Sequence, residues 1–448
     1  MTLLGLKVAA ARGVGALSRR AGRGGTSLPG RLLLRLDPHA IGALAGRLER
    51  GSAVISATNG KTTTAAMVAS ILGRGSVRLV HNRAGANMAG GVATALMDRD
   101  GDLGLFEVDE FWLDRVVPDV QPRALLLANL FRDQLDRYGE LETIADRWAA
   151  VVTATPGTRL VLNADDPLVA DLGRDRPDAL YVGVEDDGVA LEGMAHASDS
   201  KHCRRCGAPY AYDAIYLGHM GRYSCPNCGA RRPEPDIAAT RVVLDGTRGS
   251  DVTLRTPHGT IDVRLPLPGL YNVYNALAAA GLALALDAPL GDVADGLQAV
   301  EAAFGRAEIV RIGERELTLL LVKNPAGANE VLRTLTLDAG EQDILAILND
   351  NVADGRDVSW VWDADVEVLA PHVRRVTCSG TRAAELALRF KYAGVPLERI
   401  AVQPALDRAL DEAVAGGEGR LVALPTYTAM LELRALLHRR GMTRGSFA

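Results

Sequence analysis

Short apolar runs alternate with amphipathic helical patterns along most of this chain, beginning near residue 53. In the first half, the runs that predict strands lie at 53–57, 77–80, 103–108, 124–129, 160–163 and 180–184. Helical patterns separate most of these runs, and such alternation is typical of a mostly parallel sheet covered by helices. We therefore predict an α/β fold for this part of the chain.

The pattern then changes and later resumes. Runs at 242–244, 252–255 and 261–265 flank the turn sequences Asp245-Gly246 and His258-Gly259, which indicates antiparallel strands. Further strands are predicted at 317–322, 344–348, 373–378, 400–402 and 421–424, again with helices between them. We predict an N-terminal helical segment at 1–50, a central domain at 51–306 with an insertion at 195–235, and a C-terminal Rossmann-like α/β domain at 307–448.

The insertion contains a cysteine pattern with metal-ligand spacing. Cys203, Cys206, Cys225 and Cys228 form C-x2-C-x18-C-x2-C, with Gly and Pro in the turns. Two such turns present four thiolates to one tetrahedral Zn²⁺, so a zinc ribbon is predicted; redox pairs or disulfides are the alternative. Four thiolates leave no open coordination position, which indicates a structural metal.

Composition narrows the class of protein. The chain has 448 residues, 48% of them hydrophobic, and a formal net charge of −5, so no global basic charge points to nucleic acid. No stretch approaches about 20 uncharged apolar residues, and the start lacks the order of a secretory signal. We expect a cytoplasmic protein. The basic amphipathic start could touch a membrane surface, but packing on its own domain is the expectation we favour.

Candidate chemistry begins directly after the first predicted strand. There a tight turn runs into a helix, so that backbone N–H groups and the positive helix end can surround phosphate oxygens. Lys61 would add a cation, and the hydroxyl of Thr62 can reach Mg²⁺. The expected nucleotide-binding residues of this loop are Thr58, Asn59, Gly60, Lys61, Thr62 and Thr63.

Other polar stretches follow later strands. Glu107 ends the strand at 103–108, where a carboxylate can hold Mg²⁺ against phosphates. The remaining stretches are Asn163-Ala-Asp-Asp166, Tyr271-Asn-Val-Tyr-Asn-Ala276 and Gly305-Arg-Ala-Glu308. Taken alone, each is compatible with ordinary turn or helix-surface chemistry.

Together and in this order, these motifs resemble the Mur ligase family of ATP-dependent peptidoglycan-building enzymes over about residues 50–308. The resemblance implies a Mur ligase-type central P-loop domain. It also implies that Lys61 binds phosphates, that Thr62 and Glu107 bind Mg²⁺, and that Asn275 and Arg306 bind the nucleotide. ATP, Mg²⁺ and Zn²⁺ are therefore the expected cofactors.

Departures from the family pattern indicate one branch of it. The family's Asp-His-Leu-Asp is Asp133-Gln-Leu-Asp136 here, no Lys lies between Lys61 and Lys201, and Lys323-Asn-Pro325 replaces a His-Asn-Pro motif. With the cysteine turns and the segment 347–363, these features resemble the synthetase subunits of lipid II isoglutaminyl synthase. That resemblance implies amidation of the D-glutamate α-carboxylate of lipid II through an acyl phosphate, at the inner face of the membrane.

The same branch implies a partner. Ammonia would come from a GatD-like glutaminase subunit in a heterodimer, because Cys378, at a strand end, is expected to be a buried structural cysteine. An Asp of the loop at 349–357 is implied to complete the partner's Cys-His pair. Asp350 is our choice because it directly follows a strand, and Asp354 is second.

Two alternatives stay open from the residues. The first is an amino-acid-adding ligase that acts alone, against which the missing Lys and the altered His-Asn-Pro motif argue. The second is a nucleic-acid-binding module that uses the Arg and Tyr residues of the ribbon. The intact nucleotide loop argues against it as a primary function, so no nucleic-acid partner is expected.

Overall fold

The computed structural model describes residues 3–20, 27–82, 86–98, 100–133, 141–194, 198–301, 306–417 and 420–443, without the side chains at 19, 20 and 306. Three helices come first: α1 (Leu3–Arg20), α2 (Leu28–Leu36) and α3 (Ala40–Ala45). They lie against the larger sheet's outer helices, and Leu33 and Ile41 are buried there.

Within the described chain, nine strands form the larger sheet, in the order β11-β10-β9-β6-β5-β4-β1-β3-β2. The seven strands from β9 to β2 are parallel to one another, whereas the β9–β10 and β10–β11 pairs are antiparallel. The strands are β1 (Ser52–Ser56), β2 (Leu79–His81), β3 (Leu103–Glu107), β4 (Ala124–Leu127), β5 (Arg159–Asn163), β6 (Leu180–Val184), β9 (Ile237–Leu244), β10 (Ser250–Thr256) and β11 (Gly259–Leu265).

Helices cover both faces of this sheet, which explains why β1 is buried at every position. Alternate side chains of a strand point to opposite faces. Ala53 and Ile55 therefore enter one hydrophobic core, while Val54 enters the other. The helices of this region are α4 (Lys61–Leu72), α5 (Ala89–Asp98), α6 (Leu113–Val120), α7 (Leu141–Ala154), α8 (Pro167–Ala170), α9 (Leu270–Ala285) and α10 (Leu290–Gln298).

A smaller sheet contains six strands of the described chain, in the order β12-β13-β17-β14-β15-β16. Only the β12–β13 pair is antiparallel. The strands are β12 (Arg306–Ile312), β13 (Arg315–Leu320), β14 (Gln342–Ile347), β15 (Val373–Ser379), β16 (Ile400–Val402) and β17 (Leu421–Pro425). The helices are α11 (Pro325–Thr336), α12 (Ala383–Tyr392), α13 (Leu406–Ala415) and α14 (Tyr427–Arg439).

The insertion forms an antiparallel hairpin, β7 (Ala211–Leu217) and β8 (Met220–Ser224), with the cysteine turns at its open end. The predicted α/β class and the mostly parallel sheet are confirmed. The antiparallel pairs around Asp245-Gly246 and His258-Gly259 are confirmed too. The domain limits given above stay a prediction.

Several strand boundaries differ from the expectation, and two of them show the range of the differences. The second strand spans Leu79–His81 instead of 77–80, and the strand predicted at 242–244 begins at Ile237. Strand limits depend on which backbone groups find a neighbouring strand, and an apolar run does not contain that information. Among the described residues, no helix is both long and apolar enough to cross a membrane.

Candidate active site

The phosphate-binding candidate is the turn between β1 and α4. Gly60 precedes the helix with φ 87, in the left-handed region. A Cβ at Gly60 would lie 2.0 Å from Asn275 Oδ1, so only glycine fits between the turn and α9. Thr64 Oγ1 donates a hydrogen bond of 3.2 Å to the same Asn275 oxygen. The structure thus brings Asn275 against the loop, as the sequence motif requires.

The end of strand β4 fixes the shape of this loop. The Asn59 N–H donates to Asn129 Oδ1 at 2.9 Å, and Asn129 Nδ2 donates to the Asn59 carbonyl at 3.0 Å. Thr58 Oγ1 accepts a hydrogen bond of 3.1 Å from the Phe131 N–H. Because these bonds hold the loop from a rigid strand end, its amide groups keep their direction before any ligand arrives.

Lys61 lies in a buried ion pair. Its Nζ is 2.7 Å from Glu110 Oε2, and it also donates to the Ala57 carbonyl. Burial would lower the pKa of Lys61, but the Glu110 and Asp109 carboxylates outweigh it, and the pKa lies above its ordinary value. Burial and the neighbouring Glu110 raise the pKa of Asp109. Lys61 therefore stays a cation in the cavity.

Thr62 and Glu107 are brought together as the magnesium candidates. Thr62 Oγ1 donates to Glu107 Oε2 at 3.0 Å. The backbone of Glu107 is fixed by Asn82, whose side chain accepts from the Glu107 N–H at 2.9 Å and donates to its carbonyl at 2.8 Å. A hydroxyl and a carboxylate oxygen beside a phosphate loop are hard ligands of the type that Mg²⁺ prefers. The residues present fit that ion.

The smaller sheet contributes the opposite wall of the cavity, which the sequence motifs did not assign. Lys323 Nζ is 2.5 Å from Asp133 Oδ2 and donates to the Thr58 carbonyl at 3.2 Å. Asn324 and Asn59 exchange side-chain hydrogen bonds of 3.0 and 3.2 Å. The sequence signal was the Lys-Asn-Pro variant, together with the scarcity of lysine, since the chain has only five.

The cavity between the two sheets has a volume of about 370 Å³. Its lining includes the charged side chains of Lys61, Glu107 and Lys323. It also includes two further polar residues, Asn275 and Glu330, and a set of aromatic and aliphatic side chains: Leu217, Met220, Tyr271, Tyr274 and Val331. Burial raises the pKa of Glu330 from its ordinary 4.5 to about 7. A ligand that carries both a polyanionic group and a flat, largely apolar group matches this lining.

The ribbon hairpin reaches this cavity with its tip. Leu217 and Met220 line the wall, and Asn163 Nδ2 lies 3.3 Å from Met220 Sδ. Between them, the fully buried His219 lies with Nε2 3.5 Å from Asp166 Oδ2, and its ring centroid is 5.0 Å from that of Phe131. Coulomb attraction to Asp166 outweighs burial and raises the pKa of His219. The motif at 163–166 therefore holds the hairpin in place.

At the other end of the hairpin, the four predicted cysteines converge. The Sγ atoms of Cys203, Cys206, Cys225 and Cys228 all lie within 4.8 Å of one another. Cys203 and Cys228 are 3.6 Å apart, and Cys206 and Cys225 are 3.4 Å apart. Tetrahedral zinc with bonds of about 2.3 Å needs sulfur separations of roughly 3.8 Å, so the residues fit this metal.

Two acidic residues of the loop after β14 differ in their exposure to solvent. Asp350 is partly exposed; it accepts from Thr381 Oγ1 at 2.8 Å, and its Oδ2 lies 3.4 Å from Arg382 Nη1. Asp354 is buried and accepts hydrogen bonds from the N–H and hydroxyl of Thr428, the former at 2.7 Å. Asp350 is therefore more accessible to another molecule than Asp354, which closes the loop.

Some predicted features cannot be placed. The Arg306 backbone begins β12, but its side chain lies outside the described residues, as do 134–136 of the Asp-Gln-Leu-Asp variant and Gly305. Cys378 is fully buried in the smaller sheet, which confirms the expectation, and burial raises its pKa to about 12. A thiol with so high a pKa carries little thiolate near neutral pH.

Comparisons with known proteins agree along the whole chain. A model of the Mur ligase middle domain matches residues 55–283, and a model of the MurT ligase C-terminal region matches residues 321–430. The MurT subunit of lipid II isoglutaminyl synthase (glutamine-hydrolyzing) of Streptococcus pneumoniae strain R6 is 33% identical over 432 residues, covering 95% of both chains. The corresponding subunit of Staphylococcus aureus strain N315 is 32% identical, covering 94% of this chain and 95% of the relative.

Solved structures share the fold at lower identity. A pseudomurein peptide ligase type C from Methanothermus fervidus has a TM-score of 0.69 at 21% identity, covering 89% of this chain and 80% of that chain. A folylpolyglutamate synthase from Mycobacterium tuberculosis, complexed with ADP, has a TM-score of 0.63 at 18% identity, covering 91% and 94%. These likenesses confirm a Mur ligase-type arrangement of the two sheets.

Proposed function

The chain belongs to the MurT family, and on that premise we propose that it is the ATP-consuming synthetase subunit of a lipid II isoglutaminyl synthase. The proposed reaction amidates the α-carboxylate of D-glutamate in the lipid II stem peptide, giving D-isoglutamine for peptidoglycan synthesis. The observation that carries the proposal is that one cavity contains both Lys61, at the end of the phosphate loop, and Lys323, from the smaller sheet's domain. The ammonium group of Lys323 contacts the same loop. The names of the streptococcal and staphylococcal relatives supply the substrate class.

The chemical problem is that a carboxylate is a poor acyl donor. Its oxygen attacks the γ-phosphorus of ATP, the bond to the bridging oxygen breaks, and ADP leaves while an acyl phosphate forms. The lone pair of ammonia then attacks the carbonyl carbon, phosphate departs, and a proton is released. Phosphoryl transfer of this kind needs positioning and charge neutralisation more than covalent help from the protein.

The side chains of the cavity suit these needs. In the structure, Lys61 Nζ donates a hydrogen bond to Glu110 beside the loop. When nucleotide binds, Lys61 would turn from this carboxylate towards the phosphate oxygens. Thr62 and Glu107 would hold Mg²⁺, which would neutralise negative charge on the phosphate groups. The purine would lie against the apolar side chains of the lining, and Asn275, beside the loop, would contact the nucleotide. ATP and Mg²⁺ follow from family membership; the individual roles are our proposal.

In this proposal, Lys323 is the reason why the reaction needs both domains. Its ammonium group contacts both the loop carbonyl of Thr58 and the carboxylate of Asp133. A cation at this position can neutralise charge on the acyl phosphate as well as on ATP. Since Lys323 belongs to the smaller sheet's domain, its position at the loop depends on how the two domains pack against each other.

Ammonia has to be delivered unprotonated, which supports a separate glutaminase subunit of the GatD type. The described chain sets no cysteine aside as a nucleophile, because Cys378 is buried with a raised pKa and the other four cysteines converge on the candidate zinc site. The half-exposed Asp350 would orient the histidine of the partner's Cys-His pair from outside its chain. A heterodimer is the simplest assembly.

The deciding experiment measures ADP release with lipid II and either ammonium or glutamine, with and without the glutaminase subunit, followed by product mass. The expected product has a stem-peptide hydroxyl replaced by an amino group, and glutamine supports its formation only when the partner is present. Addition of a whole amino acid residue would show instead a ligase that acts alone. A Lys61→Met variant is the matched control for contaminating ATPase.

A further inference from the structure

The outer face of helix α1 is apolar although solvent faces it. The exposed residues between Leu3 and Ser18 are Leu3, Leu6, Ala9, Ala10, Arg12, Gly13, Val14, Ala16 and Leu17, of which only Arg12 is charged. At 100° per residue, the apolar members fall within an arc of about 160°. Leu3, Leu6 and Leu17 are 71%, 53% and 66% exposed. An ordinary surface helix has the reverse pattern, with its polar face outward.

Contacts made by the opposite face of α1 hold the helix in this orientation. Ala11 is fully buried, and Leu4 and Val8 pack against the hydrophobic core below. Lys7 forms an ion pair of 3.0 Å with Asp37, and Arg12 donates to the Met97 carbonyl. The helix is thus folded and fixed before anything covers its outer leucines, so covering them requires no further ordering of the chain.

The apolar side chains are concentrated in this part of the molecule. Of the sixteen exposed large apolar side chains among the described residues, six lie between Leu3 and Leu36. The neighbouring helix α2 contributes two of them, Leu28 and Leu36, which are 47% and 45% exposed. On the same helix, Arg31 and Arg35 are exposed as well. Leucine and arginine together are the composition of a surface that binds at a lipid interface.

The net charge of the N-terminal segment indicates which kind of surface would cover the apolar face of α1. Residues 1–50 contain nine Lys and Arg against two Asp and Glu, a net charge of +7 in a chain whose total is −5. A second copy of so basic a segment would be repelled, whereas a membrane with anionic headgroups attracts it. Because Leu4, Val8 and Ala11 pack α1 lengthwise against its own domain, its outer leucines would meet a membrane with the helix lying in the interface plane.

From this surface we propose that helices α1 and α2 dock the protein on anionic phospholipid membranes, with Leu3, Leu6, Val14 and Leu17 inserted among the acyl chains. The inference deepens the proposed function, because a lipid-linked substrate is held in that membrane and docking confines the enzyme to the same plane. Vesicle binding itself does not require that function to be correct.

The test is co-sedimentation of the full, zinc-loaded chain with vesicles of phosphatidylcholine alone or mixed with phosphatidylglycerol. Neither lipid II nor nucleotide is present, so failure here is separate from failure of the amidation assay. We expect binding to the mixed vesicles only, weakened by high salt. The double variant Leu6→Glu/Leu17→Glu should lower the partition coefficient by at least about tenfold, since two inserted apolar side chains are lost.

The matched control is Leu397→Glu, which changes a leucine that is 64% exposed in the smaller sheet's domain and should leave vesicle binding unchanged. A second variant, Arg31→Glu/Arg35→Glu, keeps every apolar group and should remove the preference for phosphatidylglycerol. Thermal midpoints equal to the wild type exclude misfolding. The proposal is wrong if the wild type ignores mixed vesicles or if the leucine variant binds them equally. It is also wrong if light scattering shows that these leucines hold a second copy or the glutaminase subunit.

Discussion

Asn59 and Asn324 are 265 positions apart in the chain, yet each donates a side-chain amide hydrogen bond to the other, at 3.2 and 3.0 Å. Asn59 lies in the phosphate loop of the larger sheet, and Asn324 precedes helix α11 beside the smaller one. Asn324 Oδ1 also accepts from the Gly327 N–H at 2.9 Å and caps that helix. The pair therefore links the shape of the phosphate loop to the packing of the two domains against each other.

Asn324→Ala tests this coupling. Loss of the helix cap and of the interdomain bonds should lower the free energy of unfolding by about 2 kcal/mol. It should also raise the KM for ATP roughly fivefold, because the loop is held from one side only. Urea unfolding and steady-state kinetics measure the two effects.

The control for this prediction lies on the same helix. Asn329→Ala removes hydrogen bonds to Asp365, one of them 3.0 Å, without touching the loop. It should cost similar stability and leave the KM for ATP unchanged. An equal change of KM in both variants would mean that helix stability alone, and not the contact with Asn59, controls the site.

Lys61→Met should abolish ADP release, with a loss of at least about a thousandfold, because the cation beside the transferred phosphoryl group disappears. It should also destabilise the fold by about 3 to 5 kcal/mol, since Glu110 would be left as an uncompensated buried charge. Adding Glu110→Gln should restore stability but not activity. Restored activity in the double variant would contradict the phosphate role, and Lys201→Met, an exposed site, is the control.

Removing the metal should weaken nucleotide binding although the cluster lies outside the cavity. Strands β7 and β8 run from the cysteine turns to Leu217 and Met220 in the cavity wall. Loss of this wall should raise the Kd for a fluorescent ATP analogue about tenfold in Cys206→Ser or after chelation. Cys378→Ser, which alters the cysteine outside the cluster, should keep both zinc content and affinity. Full affinity in the zinc-free protein would contradict the coupling.

Glu330 should make stability depend on pH in a defined window. Its folded pKa of about 7 exceeds the ordinary 4.5, so the folded state binds more protons between these values. Stability contributed by the neutral acid is complete below pH 4.5 and is lost as the pH rises towards 7. Glu330→Gln should therefore stabilise the protein by up to about 3 kcal/mol at pH 8 and not at pH 4.5. The exposed Glu314→Gln should show no such difference, and a pH-independent effect of Glu330→Gln would contradict the assignment.

Asp350→Ala should abolish glutamine hydrolysis by the complex while ATP binding and ammonium-dependent amidation by this chain persist. The reason is that Asp350 is partly exposed and lies outside the cavity, among Thr381 and Arg382. Asp357→Ala, in the same loop, is the control, because that side chain only caps the Ser359 N–H. Loss of ammonium-dependent activity in Asp350→Ala would show that the role is structural.

The sequence by itself determined the features whose physical cause is local. Burial on two faces makes a parallel strand apolar throughout, so β1, β3 and β4 were predictable from their composition alone. The turn at Gly60 and the cysteine turns were equally predictable, because a positive φ and a tetrahedral metal each demand particular residues at fixed spacing.

Only the tertiary structure decided which groups meet. Three carboxylates lie at the end of β3 or directly after it, and the course of the backbone there pairs Glu110 with Lys61 and Glu107 with Thr62. The approach of Lys323 and the ribbon tip depends on how separate elements pack, and sequence spacing carries no measure of that distance. The same holds for helix α1: its pattern predicted an amphipathic helix, and packing of Ala11 against the core turned Leu3, Leu6 and Leu17 outward.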